Sequence, residues 1–208
     1  QRSANVLLQQ SDLIIAVGTR LGIQQTGFNW NGFAPLATIV HVDIYPSELA
    51  KGHPDIDLAI CSDAYEALSR IHADDVDGPG SRWSEWMLFG LMVRELLPNN
   101  ESVNSRKPGY INPYDFVEES STVLDGEDVV VPCSSGGAFT TVMQAYRQQY
   151  GQKIVTNKGL ASMGYGLSGA IGASYANPGK RVVLIEGDGG FAQNIQEIGT
   201  VVAGQLPL

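Results

Sequence analysis

"RVVLIEGDGGFAQNIQE" occupies Arg181–Glu197. Val182–Ile185 is an apolar, largely β-branched run of strand length, too short for a helix and rich in the residues that suit a pleated surface. Gly187, Asp188, Gly189 and Gly190 follow as a turn, and the residues from Phe191 to Gly204 are predicted as one helix. Strand, glycine-rich turn and helix in that order form the repeating unit of a parallel α/β sheet. The turn can hold a phosphate, a metal or nothing.

The same alternation extends upstream. "NPYDFVEESSTVL" is predicted as a helix with Asn112 as N-cap and Pro113 at its first position, where a missing N–H costs nothing. Then come strand "DVVVPC", turn "SSGG", helix "AFTTVMQAYRQQY", short strand "KIVT", loop "NKGLAS" and helix "MGYGLSGAIGASYA". The first section has the same character. Helix "NVLLQQ", buried strand "DLIIAVG", strand "ATIVHVDI", helix "PSELAK", strand "DLAICSD" and helix "AYEALSRIH" succeed one another. In the last of these, Ala64, Leu68, Ile71 and His72 recur at helical spacing. Between the sections lie the polar linker "ADDVDGPGSR", the apolar helix "WSEWMLFGLMVRELL" and the irregular stretch "PNNESVNSRKPGYI". That helix is expected to pack between domains. The fold class is therefore α/β with two doubly wound parallel-sheet units: a central domain at 1–75, a linker with one helix at 76–111 and a second domain at 112–208.

Composition narrows the function. Of 208 residues, 43% are apolar and 17% charged, which suits a globular chain. The net charge of −9 argues against nucleic acid, which needs clustered Lys and Arg. No apolar run approaches the roughly 20 residues that span a bilayer. Cys61 and Cys133 sit in no CxxC and are expected to be two buried, reduced thiols of a cytoplasmic protein. An acidic protein that binds a diphosphate does best with backbone N–H donors and a bridging cation.

Three turns could bind a ligand at the carboxyl edge of the second sheet. Ser134, Ser135, Gly136 and Gly137 offer hydroxyls and N–H groups suited to an oxyanion, or form an ordinary structural turn. Gly164, Gly166 and Gly169 spell GxGxxG, with Glu186 at the end of the next strand. No strand runs directly into Gly164, so close helix–sheet packing is preferred to dinucleotide binding. In the third turn Asp188 is either an N-cap or the ligand of a divalent cation that bridges phosphate oxygens to Gly189 and Gly190. Mg²⁺ fits the second case, because it takes few protein carboxylates and fills its shell with phosphate oxygen and water.

"GLASMGYGLSGAIGA" followed by "VVLIEGDGGFAQNIQEIGTVV" decides between these. The pair strongly resembles the diphosphate-binding domain of thiamine-diphosphate-dependent enzymes of the acetolactate-synthase type. "SDLIIAVGTRLG" and "IVHVDIYPSELAK" resemble the central domain of the same family. The resemblance implies thiamine diphosphate and Mg²⁺ as cofactors, with Asp188 the metal ligand. It implies that Gly187, Gly189 and Gly190 approach the diphosphate from one turn and Gly136, Gly137 and Ala138 from another. Met163 corresponds to the apolar residue wedged under the cofactor to bend its two rings together, and the backbone of Ala161 and Met163 to the groups that hold the aminopyrimidine. Asn194 and Glu197 are expected to support the turn from the following helix. The reaction implied is decarboxylation of a 2-oxo acid with carboligation, in a homodimer or homotetramer.

The family's activating glutamate comes from an amino-terminal domain, and its second metal ligand, an asparagine, lies further past the GDG than Asn194. The expectation is a fragment without turnover of its own and with no catalytic residue in it. Some relatives carry FAD near the positions of Gly18 to Arg20 and Asp43; Tyr45, where many have an aspartate, weighs against FAD here. Two other readings stand beside this one: a nicotinamide oxidoreductase using Gly164, Gly166, Gly169 and Glu186, and a non-catalytic scaffold that retains the fold.

Overall fold

The computed structural model describes residues 2–71, 83–101, 103, 104 and 107–208. The linker expected at 73–82 and His72 lie outside them. The chain forms two compact units that meet in sequence between Pro98 and Asn99.

In the first unit, helix α1 (Arg2–Gln10) leads to strand β1 (Leu13–Val17), then α2 (Ile23–Thr26), β2 (Thr38–Asp43), α3 (Pro46–Leu49), β3 (Leu58–Cys61), α4 (Ala64–Arg70) and α5 (Ser84–Leu96). The strands pair in parallel in the order β1-β2-β3. Short α2, with the sequence IQQT, has no apolar period to announce it. The apolar helix expected between domains is α5, which packs against α1 within this unit. Asp63 caps α4 by accepting from the N–H groups of Tyr65 and Glu66. Tyr45 at the N-cap of α3 makes no side-chain cap, and Asp43 takes its N–H instead at 2.9 Å.

Two expectations fail here. β1 is not fully buried: Leu13 and Ile15 stand half-exposed, while Ile14 and Ala16 turn toward a core of Leu21, Phe33, Ala34 and Ile39. A run that is apolar at every position reads as covered on both faces, yet within this unit only one set of alternate side chains is. Cys61 is likewise exposed rather than buried, because it ends edge strand β3, with Sγ turned toward the Ile44 carbonyl at 3.7 Å.

The second unit contains α6 (Pro113–Val123), β4 (Val129–Pro132), α7 (Gly136–Ala145), β5 (Lys153–Ile154), α8 (Tyr165–Ala176), β6 (Val182–Ile185), α9 (Asp188–Gln193) and α10 (Ile198–Ala203). Its parallel sheet runs β5-β4-β6, with Val130 opposite both Ile154 and Val183. The chain moves one way from β4 to β5 and then crosses back over β4 to reach β6. That reversal is a topological switch, and the crevice outside the carboxyl ends of such strands is where ligands bind in open α/β sheets. Alternation along the strands fills both faces. Val129, Val131 and Val182 pack on Ala170 and Ala173 of α8, while Ile185 joins Val117, Val142 and Ala145 of α6 and α7.

Two predicted helices end early. α7 stops at Ala145, not Tyr150, because the N–H of Arg147 is taken by Ser121 Oγ at 3.0 Å and that of Gln149 by Gln152 Oε1 at 3.2 Å. Tertiary partners outbid helix propensity there. The helix expected from Phe191 to Gly204 breaks at Asn194, where φ is −129°, before a short 3-10 turn leads into α10.

The opposite, amino end of this sheet is pinned by charge. Arg181, just before β6, donates to buried Asp128, just before β4, from Nε at 2.7 Å and from Nη2 at 2.5 Å. Hydrogen bonding from the Arg181 guanidinium holds the Asp128 carboxyl below the usual carboxylate range, against burial, which pushes it up. A carboxyl with a depressed folded-state pKa stabilises the fold above the unfolded pKa, and the contribution disappears as pH falls through the folded value. Arg181→Met is therefore expected to raise the midpoint of acid unfolding, followed by far-UV circular dichroism. An unchanged midpoint would assign the pair no role in stability.

Among the described residues no helix is long and apolar enough to cross a membrane.

Candidate functional site

Three loops meet at the carboxyl edge of the second sheet: residues 133–137 after β4, 156–164 after β5 and 186–190 after β6. They are tied by side chains. Ser134 Oγ donates to the Ser162 carbonyl at 2.6 Å, joining the first loop to the second. Asn194 Nδ2 donates to the Gly164 carbonyl at 2.7 Å and to Ser168 Oγ at 3.1 Å, joining α9 to the start of α8. The Met163 methyl lies 3.4 Å from the point a Cβ on Gly189 would occupy, so the second loop comes up close to the third there.

The glycines divide into two kinds. Gly136, Gly137 and Gly187 face open space, with nothing within 4 Å of a Cβ position. Gly136 also has φ +70°, a backbone that favours glycine. Gly166 and Gly190 instead enclose a neighbour. A Cβ on Gly166 would fall 1.6 Å from Glu186 Oε2, and one on Gly190 would fall 2.4 Å from Glu186 Oε1. The Glu186 carboxylate is thus wedged between the first turns of α8 and α9, with Oε2 buried and, among the described residues, without a hydrogen-bond partner. This disposes the GxGxxG stretch as packing. Gly164 is the N-cap of α8 with φ +83°, and β5 ends at Ile154 without running into it. Glu186 points into the protein rather than at a ribose in the crevice.

Asp188 opens α9 and is exposed, its Oδ1 accepting the Gly189 N–H at 2.8 Å. Among the described residues its side chain makes no other bond, so it can turn to a cation. Among the described residues no three His, Cys, Asp or Glu side chains cluster tightly enough to hold a metal by themselves. A lone exposed carboxylate suits Mg²⁺, which completes its shell with phosphate oxygen and water. Met163 is 54% exposed. Ala161 has φ +53° and spends its N–H on the Asn157 carbonyl at 2.9 Å, so only its carbonyl is left for a ligand. Ala138 faces an apolar hollow of about 360 Å³, shared with Gly137, Thr141, Phe116 and Ile185.

The oxyanion role open to Ser134 is lost. The residue is 1% exposed, and its hydroxyl proton is committed to Ser162. No local signal separates a serine that binds ligand from one that fastens two loops. Cys133 is buried beside Glu186 with its thiol donating to the Ser135 carbonyl at 2.9 Å. Burial pushes that thiol up, Glu186 adds to the effect and the Ser135 hydrogen bond opposes it, so Cys133 is a poor nucleophile. In the first unit, the cleft at Gly18, Arg20, Asp43 and Tyr45 has a volume of about 220 Å³.

The comparisons with known proteins agree with this geometry. The model of the thiamine pyrophosphate enzyme central domain matches residues 1–71, and that of the C-terminal TPP binding domain matches residues 135–208. The chain belongs to the thiamine pyrophosphate enzyme family. Within it, the chain is similar to acetolactate synthases. It is 32% identical over 207 residues to the acetolactate synthase isozyme 2 large subunit of Escherichia coli, covering 100% of this chain and 36% of that protein. It is 33% identical over 212 residues to the chloroplastic acetolactate synthase 1 of Zea mays, covering 99% and 32% respectively. With a probable acetolactate synthase large subunit of Methanococcus aeolicus it shares 29% identity over 220 residues, covering 100% and 36%. The chain spans about a third of the length of these relatives.

Proposed function

We propose that this chain supplies the diphosphate- and metal-holding part of a thiamine-diphosphate- and Mg²⁺-dependent enzyme that decarboxylates a 2-oxo acid and joins the product to an acceptor, as acetolactate synthases do. The observation that carries the reading is the convergence of an exposed aspartate, open-faced glycines and an exposed methionine from three separate loops on one sheet edge. Thiamine diphosphate, when bound, supplies the electron sink for loss of CO₂. The chain's own residues bind and orient. Asp188 holds the cation, Gly136, Gly137, Gly187, Gly189 and Gly190 let backbone approach the diphosphate, and Ala138 lines the same loop. Met163 supports the rings from below, and the Ala161 carbonyl and Met163 backbone address the aminopyrimidine. An anionic cofactor on a protein of net charge −9 needs that cation, because the carboxylate of Asp188 alone repels phosphate. The domain limits of 1–75, 76–111 and 112–208, a cytoplasmic location and a homodimeric or homotetrameric full-length protein belong to the same reading, as does inactivity of these 208 residues alone.

Titration calorimetry on the full-length protein tests it. Thiamine diphosphate is expected to bind tightly with Mg²⁺ and weakly without it. NADH is expected to give no heat. Binding of NADH with no response to thiamine diphosphate plus Mg²⁺ would replace this reading with the nicotinamide one.

A further inference from the structure

Taking the thiamine diphosphate reading as its basis, we propose that Asn194 is a positioning residue that sets the height of Met163 against the diphosphate turn. The helix that starts at Asp188 has the composition to continue through Ala203, yet it ends at Asn194. Breaking a helix forfeits backbone hydrogen bonds, and here the side chain at the break makes two others. One Asn194 Nδ2 proton goes to the carbonyl of Gly164, the residue directly after Met163, and the other to Ser168 Oγ one turn into α8.

These bonds close a ring. Asp188 and Gly189 begin α9, Asn194 ends it, Asn194 holds Gly164, and the Met163 methyl stands 3.4 Å from where a Cβ on Gly189 would lie. The ring joins the two places that would grip opposite ends of one ligand, the diphosphate at Asp188–Gly190 and the rings above Met163. Met163 cannot set its own height. Its side chain has three rotatable bonds and is half in solvent, and the turn that carries it lies outside strand and helix. The peptide between Gly164 and Tyr165, fixed through Asn194, anchors the backbone one residue after Met163 and so defines the wedge. Gly164 fits the clasp closely, since a Cβ there would lie 3.2 Å from Asn194 Nδ2.

The test uses full-length protein loaded with thiamine diphosphate and Mg²⁺, as wild type, Asn194→Ala and Asn194→Asp. Aspartate keeps the shape and removes both donors. Two quantities are measured: calorimetric affinity for thiamine diphosphate at saturating Mg²⁺, and the rate at which the bound cofactor's thiazolium C2 proton exchanges for deuterium without substrate. Proton exchange reports the bend of the two rings and needs no turnover. The expected result is affinity within a few-fold of wild type and exchange slowed about tenfold or more, as for a small misplacement of reacting groups. Unchanged exchange in either folded variant overturns the proposal. So does loss of binding and exchange together, or failure of both variants to fold, since Asn194 then serves the fold alone. A wild-type protein that binds no thiamine diphosphate with Mg²⁺ overturns the cofactor reading instead, so the two failures are distinguishable.

Discussion

Asp188→Asn in the full-length protein is expected to lower Mg²⁺-dependent affinity for thiamine diphosphate by about a hundredfold or more. Loss of residues that merely orient metal ligands already costs 10- to 100-fold, and Asp188 is the side chain proposed to hold the cation directly. The sign of the effect without metal is the sharper part. The exposed carboxylate next to Gly189 repels an anion when no cation sits between them. Removing its charge should therefore leave metal-free binding as strong as in wild type, or stronger. Calorimetry with and without Mg²⁺ separates the two effects. Weakening of both to the same degree would mean that Asp188 builds the turn rather than holding a metal.

The second large effect is on stability. Gly164→Ala is expected to destabilise the protein by about 2–4 kcal/mol, the sum of a left-handed backbone for a residue with a Cβ and crowding of its neighbours. Gly164 has φ +83°, and the added methyl would meet Asn194 Nδ2 at 3.2 Å and Gln193 Cβ at 3.3 Å. Gly179 supplies the control. Its φ is +80°, with nothing within 4 Å of a Cβ, so Gly179→Ala should show only the backbone part, about 1–2 kcal/mol. Denaturant unfolding of the two variants side by side reads the difference. Equal losses would mean that the neighbours of Gly164 move aside freely and that the clasp is loose.

Much of this was legible in the residues. Apolar runs announced the six strands of the described residues, Asn112 and Pro113 announced α6, and the glycines around Asp188 announced the turn that opens α9. These signals are local: a strand's hydrophobicity, a cap and a turn depend on residues adjacent in the chain. What stayed hidden depends on distant partners. The early end of α7 follows from Ser121 and Gln152, and the break at Asn194 follows from Gly164. The hydroxyl of Ser134 looked like a ligand group because nothing beside it in sequence reveals Ser162 as its acceptor. Glu186 looked like the acidic member of a dinucleotide fingerprint because a one-dimensional spacing does not say that two glycines form its slot. Cys61 and Leu13 were misread for a related reason: hydrophobicity says that a residue prefers cover, not that its own unit provides it.

The bidentate grip of Arg181 on Asp128 sits at the end of the sheet away from the three loops. Frame and working edge are thereby insured separately. A change in the three loops leaves the strands fastened at their far ends. For an engineer, Asp128 and Arg181 are the two screws to leave alone.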